Sequence, residues 1–243
     1  MPGFDASGGA PELPAASESQ AEAGSGPQPE LEPPPELEPQ RCVPAPGTTG
    51  RPSSIAETVD LVNGLPKPVS LACFLEALER PLRLVATRSF FSAQPAVGAR
   101  SPRIFLFMDG IIQSIVPEGT ARNLLEMGEA TTPGSSIKAE LEFPIDEDIT
   151  LATAFERLPL DDLTTCGVCH NGHVPVLGID GAFESEVLRP ADRELVPLTD
   201  LENEAQSCDA ALEPERCAML GALFQHGDVI AAEFPRSVRT IFD

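Results

Sequence analysis

Arg103-Ile104-Phe105-Leu106-Phe107-Met108-Asp109-Gly110-Ile111-Ile112-Gln113-Ser114-Ile115-Val116 is the stretch that decides the fold. Two β-prone runs flank Asp109-Gly110, and both positions of a two-residue type I′ turn need positive φ, which Asp-Gly tolerates better than most pairs. The reading is a β-hairpin with its turn at Asp109 and Gly110. Ile137-Lys138-Ala139-Glu140-Leu141-Glu142-Phe143 alternates as a half-buried strand should. Leu82-Arg83-Leu84-Val85-Ala86-Thr87 alternates in part, and the pattern from Val69 onward looks strand-like. Turn signals at Pro117-Glu118-Gly119 and Thr132-Pro133-Gly134 space these segments evenly. The expectation is a mainly β domain over 69–158, an antiparallel sandwich or curved sheet.

Towards the N-terminus the composition changes. Residues 1–50 hold eleven Pro, eight acidic residues and one basic residue, Arg41. Pro29 to Pro39 repeats a Pro/Glu/Leu theme with no helical or strand period, and such a chain buries too little apolar surface to offset its ordering entropy. Residues 1–66 therefore read as a disordered, acidic, Pro-rich tail, in which Cys42 is incidental. Within it Ser54-Ile55-Ala56-Glu57 has capping-box spacing, with Ile55, Val59 and Val62 on one face and Asn63-Gly64 as a stop. Cys73, in an apolar context, reads as a buried core thiol.

Beyond residue 159 the texture becomes helical or irregular. Leu198 to Ala205 and Pro214 to Phe224 read as helices, the second opened by Glu213-Pro214-Glu215. This C-terminal subdomain, 159–243, holds four of the six Cys and all three His.

Charge and composition exclude several classes of function. Lys plus Arg number 16 against 38 Asp plus Glu, a net charge of -22. A nucleic-acid partner needs cations to displace counterions from phosphate, and no basic cluster is present. Trp and Tyr are absent, so an exposed stacking platform for sugars or single strands is disfavoured. No run reaches the roughly 18 to 20 apolar residues of a membrane span. G-x-S-x-G, Walker A, H-E-x-x-H and G-x-G-x-x-G patterns do not occur, and the expectation is a protein that is not an enzyme.

One motif carries chemistry. Cys166-Gly167-Val168-Cys169-His170 satisfies the c-type haem attachment pattern, in which two thiols add across the vinyl groups and the following imidazole ligates the iron. On that reading Cys166 and Cys169 attach haem c, His170 is the proximal ligand and Met219, in an apolar helix, is the distal one, with His226 as a second distal candidate and a five-coordinate iron as a third option. Two alternatives stand beside it. Cys166–Cys169 and Cys208–Cys217 can be plain disulfides that staple a small binding domain without cofactor. Or Cys166, Cys169, Cys208 and Cys217, or three of them with His173, bind structural zinc, although the second spacing suits zinc poorly. The cysteine usage points to an oxidising, extracytoplasmic compartment. Met1 opens no signal peptide, so this expectation assumes a leader upstream of the present start.

The strings Leu71 to Leu82, Phe91 to Pro95, Arg100 to Arg103, Cys166 to His170 and Pro214 to Leu220 resemble those of uncharacterised myxobacterial proteins that are secreted or lipoprotein-like and carry an acidic Pro/Gly-rich stalk. The resemblance spans roughly 65–243 and implies an exported precursor bearing a CxxCH motif.

Overall fold

The structure is a computed structural model, and it describes residues 42–160, 163–164, 170, 172–240 and 242. The hairpin forms as the sequence predicts. β2 (Arg103–Phe107) pairs antiparallel with β3 (Ile111–Ile115), in the register Ile104↔Ile115 to Phe107↔Ile112. The Met108 N–H donates to the Ile111 carbonyl at 3.0 Å, so Asp109 and Gly110 are the two turn residues. Gly110 lies at φ +89°, and a Cβ there would sit 2.8 Å from the Ser53 carbonyl oxygen. Gly110→Val combines a β-branched side chain with left-handed backbone and this contact. It should destabilise the fold by more than about 1 kcal/mol in urea titration; an unchanged midpoint would contradict the turn assignment.

Around the hairpin the chain adds β1 (Leu82–Thr87), β4 (Leu124–Ala130) and β5 (Ser135–Glu142) as an antiparallel run in the order β1-β2-β3-β4-β5. Pro159–Leu160 and Leu163–Thr164, β6 and β7, form a separate two-stranded ribbon. The large sheet is then extended at both ends by C-terminal segments. β9 (Phe183–Glu186) pairs with β5, and β8 (Val174–Pro175) with β9. At the other end β10 (Leu195–Val196) pairs antiparallel with β1, and β11 (Val229–Ala231) lies parallel to β1. The result is one mainly antiparallel sheet of nine strands among the described residues.

Four helices complete the fold: α1 (Ile55–Asn63), α2 (Leu71–Ala77), α3 (Leu198–Gln206) and α4 (Pro214–Phe224). α1 starts where the sequence predicts, with Ser54 Oγ accepting from the Glu57 N–H. Glu57 itself reaches Ser53 rather than closing the box on Ser54. α2 departs from the strand-like reading after Val69. Ser70 Oγ caps the Cys73 N–H, and Leu71, Phe74 and Leu75 fall at helical spacing on one buried face. A five-residue apolar run cannot by periodicity alone tell a buried helix from a strand; the cap decides.

Strand alternation gives the sheet two distinct faces. Leu84, Ile104, Leu106, Leu125 and Leu141 point to one side and join the helices in a single core with Val59, Phe74, Met219 and Leu223. That core overturns both domain boundaries expected above. Residues 42–66 are not tail: α1 is buried in the core, and Cys42 forms a disulfide with Cys73 across 31 residues. Nor is 159–243 a separate subdomain, because its strands complete the sheet and Leu201, Met219 and Leu223 fill the same core. Residues 40–243 form one unit. The first 41 residues of the expected tail 1–66 lie outside the described residues.

Candidate functional site

The opposite face of the sheet is built differently. Arg103, Phe105 and Phe107 on β2, Ser114 on β3, Glu126 on β4 and Lys138 on β5 all project there, at the odd or even phase opposite to the core residues. They line a cavity of about 470 Å³, within the range of small-molecule sites. Three stretches outside these central strands close it: Ser89 to Ala93, Val187 to Ala191 and Glu233 to Pro235, with Phe242 beside them.

Aromatic and charged side chains are interspersed on the cavity wall. Phe234 packs edge-on against both Phe105 and Phe107, with ring centroids 5.1 and 4.8 Å apart. Arg103 donates to Ser114 Oγ, Ser92 Oγ and the Glu126 carboxylate, while its guanidinium carbon lies 4.8 Å from the Phe105 ring centre. Lys138 donates to Ser136 Oγ and, at 3.2 Å, to the Glu186 carbonyl. Glu140, also on the cavity wall, has its carboxyl pushed up by burial, an effect that its hydrogen bond from Arg157 opposes. Arg83, Arg103, Lys138 and Arg189 thus face Glu126, Glu140 and Glu233 on the cavity wall, a cationic balance in a chain whose acids exceed its bases by 22.

His170 stands on this wall. Its Nδ1 lies 2.7 Å from the Glu186 carbonyl oxygen. A carbonyl only accepts, so Nδ1 carries the proton and donates, and the lone pair is left on Nε2. Burial, then the charge of Lys138, push the imidazole pKa down to about 4, so the ring is neutral at pH 7. The folded pKa lies below the ordinary value near 6.5, so the unfolded chain binds the proton first as pH falls. Stability from this group is complete above pH 6.5, is lost between pH 6.5 and 4, and is absent below. The expected loss for the chain without cofactor is about 2 kcal/mol, allowing for partial exposure. His170→Gln should remove this slope when urea midpoints are compared across that range; a parallel pH dependence in the two proteins would refute it. Glu140, with its raised carboxyl, acts in the opposite sense in both proteins and cancels in the comparison.

The other expected site residues fall elsewhere. Cys166 and Cys169 lie outside the described residues. Met219 is 5% exposed in the core on the helix side of the sheet, with Ile104 and Leu106 as fellow core residues. It does not line the cavity, and the sheet stands between it and His170, so the distal-ligand assignment is withdrawn. His226 sits 3.7 Å from Glu76, also away from the cavity. His173 stacks on Phe183 with ring centroids 4.2 Å apart. Cys208 and Cys217 are joined in a disulfide, as the staple reading expects. Their sulfurs, near Glu213, are thereby unavailable as thiolates, and the zinc set that used them falls. Comparison with family models, curated proteins and solved structures finds no match to this chain.

Proposed function

We propose that the protein is an extracytoplasmic module that carries a c-type haem on Cys166 and Cys169, with His170 as the proximal ligand. One observation carries this reading. The histidine of the CxxCH motif is neutral, holds its Nδ1 proton on a backbone carbonyl 2.7 Å away, and faces an aromatic-lined cavity. Metal-bound histidines need that arrangement, in which the second nitrogen's hydrogen bond fixes the tautomer and the ring plane and raises the basicity of the ligating one. The residues present therefore suit the group. Haem would supply one-electron redox chemistry, and the chain would attach it, orient His170 and shield the iron from water. Extracytoplasmic placement is supported by two disulfides, Cys42–Cys73 and Cys208–Cys217, since such bonds persist in oxidising compartments. Among the described residues no helix is long and apolar enough to cross a membrane.

The test is production in a host with haem-maturation machinery, followed by intact mass and absorption spectra. The expected protein carries one covalent haem and a Soret band, and Cys166 and Cys169 resist alkylation after reduction. Alkylation of both thiols in that protein would leave the alternative, a disulfide-stapled binding domain with no cofactor.

A further inference from the structure

The polar groups of the cavity wall differ in how fully they are used. Lys138 donates to Ser136 Oγ and the Glu186 carbonyl, and Arg103 gives its guanidinium to Ser92, Ser114 and Glu126. Glu126 accepts from Arg103 on Oε2, but its Oε1 is buried with no hydrogen bond among the described residues. Neither cross-strand neighbour supplies a donor. Ser114, opposite on β3, donates its hydroxyl to Gln94 at 3.1 Å. Glu140, opposite on β5, is itself an acceptor held by Arg157. A carboxylate oxygen left unpaired in this way costs free energy, which a donor brought into the cavity recovers.

The rest of that wall sets the size and charge of the donor's carrier. Phe107, Ile112 and Gly128 form one row across β2, β3 and β4, and Phe105, Ser114 and Glu126 form the next. Phe234 stands edge-on to both phenylalanines. Strands lie about 4.8 Å apart, so the phenylalanines of β2 and the carboxyl of β4 are separated by roughly 10 Å, room for a fused two-ring system with a donor at one end. Arg103 already neutralises Glu126, so a cationic ligand would meet the guanidinium. Arg103 and Lys138 stand on different strands and rows with Glu126 and Glu140 between them, so an anionic ligand finds no common cationic end. We propose that the cavity binds an uncharged aromatic alcohol, its rings over Ile112 and Gly128 against Phe107 and Phe234, its hydroxyl donating to Glu126 Oε1. Such a ligand also accounts for Phe105 and Phe107, which occupy the strand phase that would face water in a one-sided sheet. The proposal goes beyond the haem reading and uses none of its groups: Cys166, Cys169 and the lone-pair nitrogen of His170 take no part, and His170 is held towards the β9 side by Glu186.

The test uses the full chain, made without haem maturation, and a matched set of naphthalene probes followed by their fluorescence. 2-Naphthol has the two rings and the hydroxyl, and saturable one-to-one binding is expected. 2-Methoxynaphthalene keeps the rings but cannot donate, and should bind at least about tenfold more weakly, the worth of a hydrogen bond to a charged acceptor. 2-Naphthoate, which brings a negative charge to the carboxylates, should bind at least as weakly as the ether. In Glu126→Gln the amide carbonyl can serve Arg103, which leaves an NH2 where the free oxygen stood. The preference for 2-naphthol over its methyl ether should therefore disappear. Phe107→Ala should weaken both probes alike, by about threefold or more, while Phe90→Ser, at an exposed ring, should change neither. Circular dichroism establishes that each variant is folded, and the comparison of probes on the unmutated chain needs no variant at all. Absence of saturable 2-naphthol binding overturns the proposal. So does equal binding of the alcohol and the ether, tighter binding of the naphthoate, or a preference for the alcohol that survives in Glu126→Gln. The haem reading is decided separately, by covalent mass and the Soret band of the matured protein, so either can fail without the other.

Discussion

Arg216→Leu should cost about 3–5 kcal/mol of stability, the range for removing one member of a buried ionic network. Arg216 is only 2% exposed although it is an arginine. It lies in the first turns of α4, and every nitrogen of its guanidinium is engaged. Nε donates to Ser101 Oγ at 3.1 Å, one terminal nitrogen to Glu213 at 2.9 Å, and the other to the Arg100 carbonyl and Glu204 at 2.8 and 2.6 Å. Three stretches of chain thus meet on one side chain: the approach to β2, helix α3 and the start of α4. Leucine matches the bulk but strands the Arg100 carbonyl, leaves the Ser101 hydroxyl only its bond to Glu118, and leaves Glu204 and Glu213 to Arg100 alone. Those carboxylates are 25% and 29% exposed and can rehydrate, which favours the lower part of the range. Urea unfolding of Arg216→Leu and Arg216→Lys decides it. Lysine keeps the charge but not the forked geometry and should recover only part of the loss. A loss below 1 kcal/mol for leucine would mean that the network is dispensable.

The hairpin and α4 were legible in the sequence because local chemistry determines them. Asp109-Gly110 sets the turn, and Pro214 with its acidic neighbours sets the helix start at the residue observed. The alternation at Ile137 to Phe143 announces β5 for the same reason. What stayed hidden depends on contacts distant in the chain. Leu124 to Ala130 carries Gly128 and two glutamates and reads poorly as a strand, yet it lies between β3 and β5, so tertiary pairing overrides propensity. The CxxCH motif was evident, but its surroundings were not: Arg103, Phe105 and Phe107 come to His170 from about 65 residues away in sequence. One signal was available. Arg103, Phe105 and Phe107 share a strand phase opposite to Ile104 and Leu106, so β2 is apolar on both faces, and a strand of that kind is covered on both sides. Met219 was misassigned because an apolar helix supplies no clue to which face of the sheet it packs on.

The tail boundary was misplaced for a reason that also yields the second large effect. Composition averaged over residues 1–50 is dominated by the Pro/Glu repeat and hides the core-bound segment that starts at Cys42. From Cys42 the chain is tied to the core: Cys42 bonds to Cys73 on α2, the Ala45 N–H donates to the Gly64 carbonyl at 2.8 Å, and the Glu79 N–H to the Gly50 carbonyl at 2.8 Å. Gly50 sits so close to α2 that a Cβ would lie 2.8 Å from the Ala77 oxygen. The disulfide closes a loop of 31 residues that contains all of α1. Closure of a loop that long restricts the unfolded chain by about 3–4 kcal/mol in the chain-entropy description, against a total of about 5–15 kcal/mol for a domain. Cys42→Ser should therefore lower the unfolding free energy by that amount, and Cys73→Ser and the double variant should match it, since all three remove the same bond. Deleting residues 1–50, costless for a solvated tail, should cost at least as much because it removes Cys42 along with the Ala45 and Gly50 contacts. A truncation that stops before Cys42 keeps the bond and is the natural control. Equal urea midpoints for wild type and Cys42→Ser under non-reducing conditions would show that the bond contributes nothing to the stability of the fold.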